Sequence, residues 1–328
     1  MLRDSFSIHE PGPSGALVRR LLLTALFVAT TCAAAAAQVP QFISSWSCAD
    51  CRGVTVDPSG TVYTVGPSFV NRFTRDGAPL GYWMLPPATW NERQDAYDIV
   101  ADRAGHVYVT NMGTRRVAKL TTTGTLLAEW GSYGGVISTF TDPMAVTCDA
   151  AGDVYVSDLA NATIQKFHPD STRVTGWGEW GTGSGQLNQV LGMAVSPSGL
   201  LYAVEWGNRR VQVFNTSGTP LFMWGSSGTG DGEFAGPTRI AIDHDGKVYI
   251  ADSENSRIQI FSATGDYLGQ FGSRGSGPGQ FYYPFGLAFD ADGNLLVADW
   301  QNNRIQKFGW AVVPAHRSTW GQLKTQYR

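Results

Sequence analysis

Several things are scarce in this 328-residue chain: it has four cysteines, five histidines and no long basic run. A formal net charge of −3 argues against nucleic acid as a partner, because that binding rests heavily on phosphate neutralisation. His9 lies in the N-terminal region and His316 near the C-terminus, while His106, His168 and His244 fall in different segments of the middle, so no two are placed to share a metal. Long apolar runs are also missing. The stretch Leu21 to Ala29 is short against the about 20 residues that a membrane span requires. No span is expected in the mature chain.

What that stretch does resemble is the core of a secretory signal. Arg19-Arg20 precede it, and Ala35-Ala36-Ala37 before Gln38 satisfy the small-x-small cleavage rule. The arginine pair followed by leucines also reads as a twin-arginine signal, and Cys32 as a lipidated cysteine is a weaker alternative. We expect residues 1–37 to be a signal peptide, 38–310 one folded domain and 311–328 a short tail, in a secreted or periplasmic protein. Removing the signal leaves Cys48, Cys51 and Cys148. In an oxidising compartment, Cys48-Ala-Asp-Cys51 reads most simply as a local disulfide pinning one loop. A thioredoxin-like redox pair is the alternative, but nothing helical follows to lower the thiol pKa.

The dominant feature is repetition. Anchors at Asp57, Asp102, Asp149, Ser196, Asp243 and Asp290 are separated by 45, 47, 47, 47 and 47 residues. Such a period marks supersecondary units that bury their apolar faces by stacking on one another. Alternating apolar residues lead into Asp-x-x-Gly and out again, as in Pro237-Thr-Arg-Ile-Ala-Ile-Asp243-His-Asp-Gly-Lys-Val-Tyr249. The Asp caps a tight turn and Gly takes the left-handed position, which makes each anchor a hairpin. A third strand follows a second turn: Asp252-Ser-Glu-Asn255-Ser-Arg257-Ile-Gln-Ile-Phe261 matches Asp299-Trp-Gln-Asn302-Asn-Arg304-Ile-Gln-Lys-Phe308. A fourth ends in an aromatic-Gly pair, read at Trp130-Gly131, Trp180-Gly181, Trp224-Gly225 and Phe271-Gly272. The 39 glycines and 16 prolines suit so many turns. The expected fold is all-β: a six-bladed β-propeller of four-stranded antiparallel blades. Phe42-Ile-Ser-Ser-Trp46 resembles a fourth strand and is expected to close the ring from the N-terminus, with His316 to Gly321 as the competing candidate.

These residues resemble the NHL repeat, Pro-x-Gly-[Ile/Val]-Ala-x-Asp…Gly-x-Val-Tyr-[Val/Ile]-[Ala/Ser]-Asp-x-x-Asn-x-Arg-Ile-Gln, over roughly residues 42 to 310. The resemblance implies a six-bladed propeller. Similar propellers include lyases with a zinc-bound channel, metal-dependent lactonases and RNA-binding domains, so the resemblance implies these as options. No channel histidines are available for the first, and the acidic balance and export speak against the last.

In a propeller the turn after the second strand and the lead-in to the first share the top rim, and the Asp-x-x-Gly hairpins lie on the bottom rim. Groups repeated in every unit are expected to be structural: Asp158, Glu205, Asp252 and Asp299 as turn caps, with Arg210, Arg257 and Arg304 as their partners. Function should lie where a unit breaks the rule. Four residues before the anchors stand Gly53, Asp98, Ala145, Gly192, Arg239 and Gly286, so Asp98 and Arg239 break a small-residue pattern in opposite units. Both are expected at the channel mouth, as an acidic and a basic handle. The lead-in to the second unit, with Trp90 and Tyr97, is long. Trp206 and Trp300 follow second strands, Tyr282, Tyr283 and Phe285 crowd the last lead-in, and Arg52 adjoins the cysteine loop. Rim aromatics present flat faces to sugars, peptides or proteins; for Phe285, packing between blades is expected instead. The leading expectation is a binding module for a protein, peptide or carbohydrate, with a secreted lyase, lactonase or other hydrolase as the alternative. No cofactor is expected, a calcium ion in the channel being the option kept open, and no catalytic residue is assigned.

If the leader is read correctly, protein recovered from the periplasm of an expressing bacterium begins at Gln38 by intact-mass measurement; a full-length mass there contradicts it.

Overall fold

The computed structural model describes residues 39–86, 94–134 and 138–310. The expected leader, most of the lead-in around Trp90 and the tail from 311 onward lie outside the described residues. Within them the chain forms six four-stranded antiparallel sheets. The first comprises Gly53–Val56, Val62–Val65, Phe69–Phe73 and Pro79–Met84. The innermost strands of the next five are Ala96–Ala101, Pro143–Cys148, Val190–Val195, Pro237–Ile242 and Pro284–Phe289. Two 3-10 turns, Ser253–Asn255 and Trp300–Asn302, are the helical elements among the described residues. The sixth sheet contains Pro284–Phe289, Leu295–Asp299 and Arg304–Gly309, and Gln41–Ser47 pairs antiparallel with the last of these.

Burial follows position in the blade. Second strands such as Leu201–Glu205 and Val248–Asp252 are buried along their whole length, because neighbouring blades cover both faces. Outer strands alternate: Pro220–Trp224 and Gln41–Ser47 turn one face inward and the other to solvent. Trp130, Trp177, Trp224 and Phe271 end the outer strands of four blades. This corrects the expectation at Trp180-Gly181. The strand ends at Trp177, three residues earlier, and Trp180 lies in the connection, exposed and bridged to buried Leu187.

The anchor carboxylates shape the bottom hairpins. Asp57 Oδ1 accepts from the amides of Ser59 and Thr61, and its Oδ2 accepts from the Tyr63 hydroxyl at 2.8 Å. Asp102 with Tyr108, Asp149 with Tyr155 and Asp243 with Tyr249 repeat the arrangement. Burial pushes these phenols up, Tyr155 to about 12, with the neighbouring carboxylate adding to the rise. Each tyrosine is thus held in the protonated form that donates to its aspartate.

The second recurring carboxylate does more than cap a turn. Asp252 is fully buried; Oδ1 accepts from the amides of Ala235 and Gly236, and Oδ2 from Arg257 Nε at 2.9 Å. Arg257 then donates to the carbonyls of Thr229, Gly230 and Glu233, while Gln259 spans Glu233 and Gly232. The set thus clamps the loop arriving from the preceding blade. Asp299, Arg304 and Gln306 hold residues 276–280 in the same way, and Glu205, Arg210 and Gln212 hold residues 182–188.

Removing one partner of a buried ion pair typically costs about 3–5 kcal/mol, so Arg257→Ala is expected to destabilise by that order. Tyr249→Phe deletes one hydrogen bond to a carboxylate and should cost about 1.5–3 kcal/mol. Urea unfolding of both variants orders them, and an Arg257→Ala penalty below that of Tyr249→Phe would contradict the clamp.

Candidate functional site

Six inner strands crowd the axis. A Cβ on Gly192 would fall 2.5 Å from Thr238 O, and one on Gly286 would fall 2.6 Å from Arg52 O, which is why side chains are absent there. Where the small residue is replaced, the side chain has to travel along or across the axis. Asp98 and Arg239 do this and meet: Arg239 Nε lies 3.3 Å from Asp98 Oδ1, joining the second blade to the fifth. Both are buried, at 7% and 4% exposure. The expected free handles at the channel mouth are thus a closed pair across the ring. Asp98 Oδ2 accepts from Val146 N at 3.0 Å, and Arg239 Nη2 donates to Tyr97 O at 3.3 Å. Burial raises the Asp98 pKa, with the Arg239 charge and the Val146 amide working in the opposite direction.

The backbone at these positions is irregular. The ladder between first and second strands shifts register in blades two to six, between Ala96 and Asp98, Pro143 and Val146, Val190 and Gly192, Pro237 and Ile240, and Pro284 and Leu287. Such irregularities re-aim side chains. Tyr97, Arg239 and Phe285 all sit at them. In the first blade the ladder runs without a shift from Gly53 to Val56.

Above the ion pair the top rim gathers an aromatic and cationic cluster. The Tyr97 ring packs edge-on against Phe285 with centroids 5.6 Å apart, and Phe285 meets Trp300 at 5.7 Å. Tyr283 meets Trp300 at 5.8 Å. The Arg52 guanidinium lies over both Tyr97 and Trp300, at 5.0 and 5.7 Å, and Arg239 lies 4.7 Å from the Phe285 centroid. Phe285 is buried and packs against Tyr97 of the second blade, Arg239 of the fifth and Trp300 of its own. Arg52, Tyr97, Tyr283 and Trp300 remain half-buried and accessible.

Two predicted residues stand apart from this cluster. Trp206 stacks on Arg209 of its own blade at 4.3 Å. Tyr282 is exposed beside Arg274. Trp90 lies outside the described residues. Two carboxylates belong to the site that residue reading passed over. Asp95 accepts from Arg52 Nη1 at 2.7 Å, and Asp50 accepts from Trp300 Nε1 at 3.0 Å. Asp50 adopts φ 49°, and its place between two cysteines in a short loop was the available signal.

That loop corrects another expectation. Cys48 and Cys51 are free, buried thiols and form no disulfide. Cys48 Sγ is hydrogen-bonded with Thr64 Oγ1 at 3.1 Å, and Cys51 Sγ donates to Cys48 O at 3.1 Å. The turn is already closed by these contacts and by Cys48 N donating to Asn303 O. The neighbouring Cys51 lowers the Cys48 pKa, while the same interaction and burial hold Cys51 well up. Among the described residues, no three His, Cys, Asp or Glu side chains converge as a metal-ligand set.

Because burial outweighs Arg239 at Asp98, its pKa is higher in the folded chain than in the unfolded one. The folded state then binds the proton more tightly, so this group favours folding at low pH and the advantage is lost as pH rises through the folded pKa. Urea titrations of wild type and Asp98→Asn from pH 7 to 4 should show the wild type gaining on the variant as pH falls; a gap that moves the other way contradicts the burial argument.

The family model described as the NHL repeat matches residues 234–261 and 281–308. No curated protein matches the chain. Among solved structures it is similar to a streptogramin B lyase, with a TM-score of 0.59 and 15% identity over 83% of this chain and 97% of that one. A gluconolactonase from Xanthomonas campestris aligns with a TM-score of 0.60 and 14% identity, covering 83% and 94%. A protein of unknown function from Bacteroides thetaiotaomicron gives 0.62 and 17%, covering 83% and 72%. Identities this low establish a shared fold. The chain is a six-bladed β-propeller carrying NHL repeats, matched in its fifth and sixth blades.

Proposed function

We propose that the protein is an exported binding module that recognises a protein, peptide or carbohydrate through its top rim. The observation that carries this reading is the convergence of Arg52, Tyr97, Tyr283 and Trp300, from three blades, on one half-buried surface at the end of the axis. Arg52, Tyr97 and Tyr283 stand where no other unit carries the same residue, and Trp300 recurs only as Trp206. Rigid aromatic faces with an interleaved guanidinium suit sugar rings or peptide side chains, since little conformational entropy is lost on contact. Asp95 and Asp50 hold Arg52 and Trp300 in place beforehand, which lowers the ordering cost of binding.

The second reading, a lyase or lactonase at the channel mouth, draws on the activities of the similar propellers. It requires an available acid, base or metal ligand at the axis. Asp98 has both oxygens engaged, by Arg239 and by the Val146 amide, which favours the binding reading.

Glycan and peptide arrays probed with the mature protein test this. Ligands that bind wild type should lose at least about tenfold affinity, or about 1.4 kcal/mol, with Arg52→Ala or Trp300→Ala. Ligands retained equally by both variants place recognition elsewhere, and turnover of lactone or streptogramin substrates would favour the enzyme.

A further inference from the structure

We infer that the ligand of the top face is a polysaccharide containing uronic acids, held by arginine–aromatic pairs that continue beyond the axial cluster; this rests on the top-rim reading and names its ligand class. Three such pairs occupy the top connections. Arg115, in the turn after the second strand of blade two, lies 4.7 Å from the Tyr133 centroid in the connection to blade three. Arg209 lies 4.3 Å from Trp206 in the corresponding turn of blade four, and Arg274 lies 5.0 Å from Tyr282 between blades five and six. Tyr133, Arg274 and Tyr282 are exposed, and the other three are half-buried.

These arginines differ from those of the clamp. Arg210, Arg257 and Arg304 each pair with a buried carboxylate. Among the described residues Arg115, Arg209 and Arg274 form no ion pair, and of their nitrogens only Arg115 Nε is enclosed without an acceptor. The blades do not require them. Arg115 and Arg209 adopt φ 58° and 54°, and the same turn position holds Ala162, Ser256 and Asn303 in other blades. An unpaired, accessible guanidinium matches the two oxygens of a carboxylate, while the aromatic surface beside it takes the apolar face of a sugar ring. A uronic acid carries both features. A neutral glycan would use the rings alone, and an acidic peptide the guanidiniums alone. Asp142 and Glu254 share this rim and are suited to accept from sugar hydroxyls. They disfavour nucleic acid, whose binding rests on phosphate neutralisation, and no lysine stands in any top connection. Because the pairs are spread over several blades, a chain engages more of them than a single sugar does, so affinity should grow with length.

Isothermal titration of the mature protein with polygalacturonate and alginate tests this, with neutral galactan, polyglutamate and poly(U) as controls. At least one polyuronate should bind at least about tenfold more tightly than every control, and its monomer at least about tenfold more weakly than the polymer. A triple variant, Arg115→Ala with Arg209→Ala and Arg274→Ala, should weaken the polyuronate at least about tenfold. Tyr133→Ala with Tyr282→Ala should weaken it as well, even if the triple variant proves too unstable to study. Absence of binding by both polyuronates, equal or tighter binding of any control, or undiminished binding by these variants would each overturn the inference. A peptide or neutral glycan lost with Trp300→Ala but retained by the triple variant would leave the top-rim reading standing and overturn this one. Failure of the top-rim reading itself shows differently, as ligands insensitive to both Arg52→Ala and Trp300→Ala.

Discussion

The structure depends on a buried carboxylate that binds two things at once. In the last three blades a fully buried Asp or Glu receives amides from the incoming loop and a guanidinium from the next strand. The guanidinium in turn spends its remaining donors on carbonyls of that same loop. A charge buried so deeply is tolerable only because every partner is supplied by adjacent structure. The interaction therefore couples the inside of one blade to the connection from the blade before it. The third blade keeps Asp158 and Asn161 but has Thr163 in place of the arginine, and the first has Gly66 where the carboxylate would stand. Regularity decreases from the C-terminal blades toward the N-terminal ones.

The axis imposes the opposite constraint. There the neighbouring strands approach so closely that glycine is the residue of least cost, and any larger group has to extend along or across the channel. Asp98 and Arg239 are placed in opposite blades, and their union divides the axis into an upper aromatic surface and a lower cavity. A single ion pair thus gives the two rims different chemistry. The upper side offers rings and a guanidinium already held by carboxylates; the lower side encloses a cavity of about 430 Å³.

Much of this was legible in the sequence. The anchor spacing, the Asp-x-x-Gly turns and the Asn-x-Arg-Ile-Gln run have local causes, so blade number, strand order and turn position follow from neighbouring residues. Arg52, Tyr97, Asp98, Arg239, Tyr283 and Trp300 were identifiable as departures from a pattern. Their relation to one another was not, because they lie far apart in the chain and meet only when the ring forms. The partners Asp50 and Asp95 were hidden for the same reason. Trp180 was misread because two Trp-Gly pairs lie three residues apart, and strand register selects Trp177.

By itself the sequence determined a repeating all-β array, since hairpins and turns are set by contacts within a few residues. Tertiary structure alone decided that the two axial charges face each other, that Trp206 and Tyr282 stand apart from the cluster, and that Cys48 and Cys51 take separate hydrogen-bond partners. Each of these outcomes turns on side-chain direction at an irregular strand end or loop, and that direction is fixed by packing between distant blades.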